Sequence, residues 1–188
     1  MALKVAWGIT GSGDLITETV QVMSDLSNED DFEITAVVSV AGEKVLRWYK
    51  LWDAVEALAK RVFVEKDANT PFIVGPLQIG HYDCFVVAPL TANSTAKIAH
   101  GIADTLITNA VAQTAKSDVP IYLLPVDQRE GKTVTTRPGG EKLELMIRPI
   151  DIANARALAT MRGLHVLAHP GQIADVLHER LLRRREQS

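Results

Sequence analysis

Residues 82–110 read YDCFVVAPLTANSTAKIAHGIADTLITNA. Tyr82 to Ala88 has the pattern of a buried strand, and the run stops at Pro89, which has no N–H to give a ladder. A loop of small, hydroxyl-bearing residues follows (Thr91, Ala92, Asn93, Ser94, Thr95), and Lys97 to Lys116 continues as one helix rich in Ala, Ile and Thr. Strand, small polar loop, helix start is the arrangement with which an open α/β sheet holds a ligand beyond the carboxyl ends of its strands. Backbone N–H groups, three hydroxyls and one amide stand there with little bulk, so a flat or phosphorylated ligand can lie on the backbone. The same residues also suit a plain helix cap, with Ser94 or Thr95 bonding orphan amides. The loop alone leaves both readings open.

The same grammar recurs on either side. Leu3 to Trp7 reads as a first strand running into Gly8-Ile9-Thr10-Gly11-Ser12-Gly13, with a helix pattern directly behind it. A glycine-rich turn at a helix N-terminus is an anion site, because free N–H groups and the helix dipole both favour negative charge. The spacing is neither the dinucleotide fingerprint nor a Walker loop, and a simple tight turn is the competing reading. Phe32 to Val40 is a second buried-type strand ending in Ser39-Val40-Ala41-Gly42. In a right-handed βαβ unit the first two strands lie side by side, so Ser39 can reach a ligand held by Thr10 to Gly13. Val119 to Val126 is a further strand, stopped at Pro125-Val126-Asp127.

The remainder is read more coarsely. Glu43 to Lys60 has helical period, and its two tryptophans and a tyrosine suit core or subunit contact. Val62 to Pro76 reads as loop. Residues around Thr133 to Thr136 suggest a hairpin, Asp151 to Met161 a helix, Leu164 to Leu167 a short strand, and Ile173 to about Arg184 a last helix. Asp104, within the supposed long helix, is an acid that needs partners if buried. Alternating β and α with Val/Ile/Leu-rich strands predicts a three-layer, doubly wound parallel sheet, Rossmann-like or flavodoxin-like, in one domain over 1–188.

Composition narrows the function classes. The chain of 188 residues is 47% hydrophobic and 23% charged, with a net charge of −3. These are the proportions of a globular domain and carry no nucleic-acid footprint. The one cysteine, Cys84, excludes an internal disulfide and any multi-cysteine metal or iron–sulfur site, and its apolar strand predicts an inert thiol. No leader pattern and no apolar run near 18 residues occur, which points to a cytoplasmic protein that does not span a membrane.

The segment PLTANSTAKIAHGIADTLITNA resembles the P-A-S-A-N-T signature of the homo-oligomeric flavin-containing decarboxylases. Pro89, Ala92 and Asn93 match, Ser94 stands for the threonine, and Gly101 to Ile107 matches the G-I-x-D-x-L-L continuation. GITGSG is similar to the family's phosphate loop, and Ser39 falls at its strand-end hydroxyl. The resemblance covers about residues 3 to 127. It implies an FMN site formed by Gly8, Thr10, Gly11, Ser12 and Gly13, then Ser39 and Ala41, then Pro89, Leu90, Thr91, Ala92, Asn93, Ser94 and Thr95. Asp104, Leu106, Pro125 and Val126 complete the implied set.

Two departures set the chain apart from the decarboxylases. Gly75 stands where they carry a catalytic histidine, and Pro125-Val126-Asp127-Gln128 replaces their substrate clamp. Together with Ala168 to Ile173, the pattern resembles the archaeal-type flavoprotein branch that includes the dihydromethanopterin reductases. That resemblance implies hydride transfer from reduced FMN to the C=N bond of a dihydropterin, in a trimer or dodecamer. The alternatives it leaves are a flavin-dependent decarboxylase or prenyl-flavin-type transferase, or a flavin-binding electron carrier. The catalytic proton donor is not singled out, with Asp127, His81 and Tyr49 as candidates, and the electron donor is unknown.

Overall fold

A computed structural model describes residues 2–186. Six strands form one all-parallel sheet: β1 (Leu3–Ile9), β2 (Phe32–Val38), β3 (Arg61–Val64), β4 (Cys84–Leu90), β5 (Ile121–Pro125) and β8 (Leu164–Val166), in the order β3-β2-β1-β4-β5-β8. This is the doubly wound order, with the reversal of direction between β1 and β4. The strands at the reversal are buried almost end to end, as expected of parallel strands covered on both faces.

Helices α1 (Ile16–Ser27) and α8 (Gly171–Glu186) cover one face, and α4 (Val74–Gln78), α5 (Ala92–Ala99), α6 (Leu106–Thr114) and α7 (Pro149–Leu158) belong to the other. The first layer packs around Trp7, Met23 and Leu46, the second around Phe85, Leu106 and Leu123. Between β5 and α7 stands a separate antiparallel hairpin, β6 (Lys132–Thr136) with β7 (Lys142–Met146), where the sequence suggests one.

Four expectations are corrected. The helix read over Glu43 to Lys60 is two, α2 (Val40–Trp48) and α3 (Trp52–Leu58). Lys50 takes φ 58, with Leu51 N–H donating to the Leu46 carbonyl at 2.8 Å and Lys50 N–H to that of Arg47 at 3.1 Å. That is the Schellman closure, here with lysine in the place usually held by glycine. The helix read over Lys97 to Lys116 is likewise two, because Gly101 (φ 72) closes α5 by the same pair of bonds. Part of the loop read over Val62 to Pro76 is β3 and α4. Pro89 also lies inside β4 rather than ending it. The β4–β5 register shifts between Val87 and Leu90, so no ladder bond is asked of the proline.

Candidate functional site

The carboxyl ends of β1, β2, β4 and β5 meet at one edge of the sheet, and hydrogen bonds join their loops directly. Thr10 is the seam between β1 and β4. Its Oγ1 donates to the Pro89 carbonyl at 2.7 Å and accepts from Thr91 N–H at 2.9 Å, while its own N–H reaches the Pro89 carbonyl at 3.2 Å. The buried hydroxyl is thereby committed to the protein. β2 joins through Ser39 N–H, which donates to the Ile9 carbonyl at 3.0 Å, and β5 through Val126 N–H, which donates to the Leu90 carbonyl at 3.1 Å.

The glycine-rich turn lies pressed against the start of α2. A Cβ built on Gly11 would stand 2.6 Å from the Ala41 Cβ and 2.9 Å from its carbonyl carbon, and one on Gly42 would stand 2.5 Å from the Ile9 carbonyl oxygen. Close approach, rather than an unusual φ, is what requires glycine at these two positions. The Gly11 and Gly13 amides find no acceptor among the described residues and are partly open to solvent. Ser12 turns its hydroxyl inward to Asp14, exchanging bonds of 3.1 Å with the main chain. Tyr49 roofs Gly13 and donates its hydroxyl to the Thr136 carbonyl of the hairpin at 3.0 Å.

The loop after β4 is a capped helix start, with Thr91 as the cap where the competing reading had Ser94 or Thr95. Thr91 Oγ1 accepts from Ser94 N–H at 3.2 Å and lies 3.1 Å from Ser94 Oγ. Ala92 and Ser94 are half-buried beside it, and Asn93 is exposed in the first turn. Thr95 Oγ1 is buried with no hydrogen-bond partner among the described residues. A buried unpaired hydroxyl is costly, and here it lies within the first turn behind the β4 loop.

The fold brings the expected residues to this edge or, for Asp104, to the turn that leads into α6. Gly8, Thr10, Gly11, Ser12, Gly13, Ser39, Ala41, Pro89, Leu90, Thr91 to Thr95, Pro125 and Val126 lie on or beside the four strand ends. Leu106 is fully buried, so it offers the edge only its backbone at the start of α6. Asp104 lies two residues before Leu106, and the break at Gly101 places it on an exposed turn rather than inside a helix, its side chain 56% accessible. Lys97 Nζ donates to it at 2.8 Å, and that bond holds its carboxyl below the usual range.

Of the proton-donor candidates, His81 precedes β4 and so lies at the opposite, amino end of the sheet. Tyr49 has its hydroxyl proton engaged on the hairpin. Asp127 follows β5 at the ligand edge, half-buried and without a hydrogen bond among the described residues. Loss of water raises its carboxyl above the ordinary value, the negative fields of Asp151 and Asp14 add to this, and Arg148 opposes it. Arg148 is largely neutralised by two 2.7 Å bonds to the buried Asp151. Asp14, under the hairpin, is also raised, chiefly by burial, against a bond from Thr133.

Two residues of consequence went unread in the sequence. Glu65, just past β3, accepts from Val40 N–H at 3.0 Å and Leu106 N–H at 2.8 Å. Gln128 Nε2 donates to the carbonyls of Pro125 and Leu167, both at 2.7 Å, tying β5 to the segment after β8. Neither has a local signature, because Glu65 bonds amides 25 and 41 positions away and Gln128 reaches 39 positions on to Leu167. Cys84 meets its expectation: full burial pushes its thiol up to about 12. Among the described residues no group of three or more His, Cys, Asp or Glu is placed to hold a metal, and no helix is long and apolar enough to cross a membrane.

Known proteins are similar to this chain. The model of the family described as Flavoprotein matches residues 2–179. A Methanocaldococcus jannaschii protein described as uncharacterized is 48% identical over 93% of this chain and 94% of its own length. A dihydromethanopterin reductase (acceptor) of the same organism is 36% identical over 80% of this chain, which spans 65% of that longer protein. The structure of Burkholderia xenovorans DmrB, solved in complex with FMN and described as a cubic protein cage for redox transfer, superposes with a TM-score of 0.80. It is 31% identical, over 96% of both chains.

Proposed function

The chain belongs to the Flavoprotein family, and from that premise we propose that it binds FMN at this edge and reduces dihydromethanopterin, or a similar dihydropterin, to the tetrahydro form. The observation that carries the reading is the likeness over nearly the whole of both chains to a protein solved with FMN. The relatives named dihydromethanopterin reductase (acceptor) support a pterin as the substrate.

The residues present fit the cofactor. The free Gly11 and Gly13 amides beside the N-terminus of α2 suit its phosphate. The unpaired Thr95 hydroxyl and the Thr91 to Ser94 turn suit the ribityl chain and ring edge. Bound there, FMN supplies the two-electron chemistry that side chains lack. The protein's share is to hold cofactor and pterin in contact and to exclude water. In this reading residues 1–188 make one FMN-binding domain. The exposed Trp48, Phe72, Ile79 and Met146 give a second copy of the chain apolar surface to cover.

Reducing a C=N bond places a hydride on carbon and a proton on nitrogen, and Asp127 is the group at this edge fitted to bring the proton. A raised carboxyl keeps its proton to higher pH than an ordinary one, so pterin turnover falls as pH rises through the folded value. Asp127→Asn is expected to lower turnover about a hundredfold and to erase that limb of the pH profile, with flavin content unchanged. The substitution has the opposite effect on stability. A carboxyl raised by folding favours the folded state below its ordinary value of 3.8 and loses that contribution as pH rises through the folded value. The asparagine variant should therefore melt slightly higher than the parent at pH 7 and level with it in acid. A variant with full turnover would remove Asp127 from the reaction.

The reading as a whole is tested by the visible spectrum of the purified protein, followed by single-turnover oxidation of the reduced flavoprotein with dihydropterins. Yellow protein and rapid reoxidation by the pterin are expected. Folded protein that takes up no FMN when offered it would overturn the cofactor assignment, and flavin that no dihydropterin reoxidises would overturn the substrate.

A further inference from the structure

We propose that Glu65 is a positioning residue that sets the shape of the FMN cradle by joining two helix starts with one carboxylate. The inference rests on the FMN reading above. Helices α2 and α6 begin on opposite sides of the ligand edge, one after β2 and the other beyond the β4 loop. Each is capped by its own hydroxyl: Gly42 N–H donates to Ser39 Oγ at 2.9 Å, and Thr108 N–H to Thr105 Oγ1 at 3.3 Å. Each cap serves the third amide and leaves the first without a partner in its own helix. Both first amides, Val40 N–H and Leu106 N–H, donate to the two oxygens of Glu65.

A carboxylate is suited to this place, because it accepts two charge-assisted bonds at once and meets the positive ends of two helix dipoles. Glu65 is itself held: its N–H donates to the Val38 carbonyl at 2.8 Å, fixing it to the end of β2. The chain beyond it is held to α6 at a separate point, where Asn109 Nδ2 donates to the Ala68 carbonyl at 2.8 Å and to Asn69 Oδ1 at 3.0 Å.

Two consequences for the cradle follow. The separation of Ser39 and Ala41 from the start of α6 is set by the span of one carboxylate. The first amide of each helix is also withdrawn from anion binding, which leaves the phosphate to the Gly11–Gly13 turn and to Ala41.

The experiment compares Glu65→Gln, Glu65→Ala and Asn109→Ala with the parent by FMN titration of the folded proteins, alongside melting curves with and without FMN. Glutamine keeps one acceptor and turns a donor toward the other amide, so it loses one of the two bonds while keeping the volume. Its FMN affinity should fall about tenfold and that of the alanine variant about a hundredfold, the range for residues that orient a ligand's direct contacts. The rise in melting temperature on adding FMN should shrink in the same order, and the bound-flavin spectrum should shift. Asn109→Ala unties the same segment without touching either first amide, so it should melt lower and bind FMN like the parent.

If the Glu65 variants melt lower yet bind FMN as tightly as the parent with an unchanged spectrum, Glu65 is structural only and the proposal fails. If Asn109→Ala loses affinity as the Glu65 variants do, general loosening explains the result and the proposal also fails. A parent protein that binds no FMN strikes the functional reading instead, so the two failures are distinct.

Discussion

Trp7→Ala is expected to cost about 3–5 kcal/mol of folding stability, the largest loss available from a single side chain here. Trp7 is fully buried on β1, beside the reversal of the sheet, and packs in the larger core cluster. Its Nε1–H donates to the Ala88 carbonyl at 3.0 Å, one residue before Pro89. Truncation therefore opens a cavity and also removes a buried hydrogen bond. For a chain of this size each kcal/mol moves the melting point about 2–4 °C, so a drop of roughly 10 °C is expected in thermal and denaturant unfolding. Trp7→Phe fills most of the cavity and loses only the bond, which should cost about 1 kcal/mol. An alanine variant within 1 kcal/mol of the parent would show that this ring does not brace the β1–β4 seam.

Gly11→Val is expected to abolish FMN uptake at micromolar concentrations. The clash is with the Ala41 Cβ at 2.6 Å and its backbone at 2.9 Å, so no rotamer change relieves it and the β1 turn must move off α2. The overpacking itself should cost about 1–3 kcal/mol, which leaves the protein folded and the binding loss readable by equilibrium titration. If Gly11→Val takes up FMN like the parent, the turn does not hold the phosphate.

What the sequence disclosed and what it hid divide along physical lines. The strands at the centre of the sheet are long apolar runs that end in small polar residues, and these runs marked β1, β2, β4 and β5 together with the ligand edge they share. The two broken helices make an instructive pair. Gly101 closes α5 and carries its sign openly, while Lys50 closes α2 with the same hydrogen bonds and carries none. β3 is four residues long and only partly buried, too short for a period to emerge. Asp104 stands on the turn that Gly101 opens, so helical period says nothing of its exposure. Glu65 was invisible for a different reason. Its function lies in two amides 25 and 41 positions away, and nothing in the sequence around it records them.

The seam between β1 and β4 also has a consequence for how the molecule comes into being. β1 finds β2 after a short loop and one helix, but its other neighbour begins at Cys84, and the Trp7–Ala88 bond spans 81 positions. Pairing at such a distance closes late, because the entropy of the intervening chain must be given up first. A nascent chain that has emerged only through its first three strands thus has half a binding edge and nothing to bind with. Acquisition of colour would then mark completion of the fold, and the rate at which refolding protein turns yellow would time the last long-range closure.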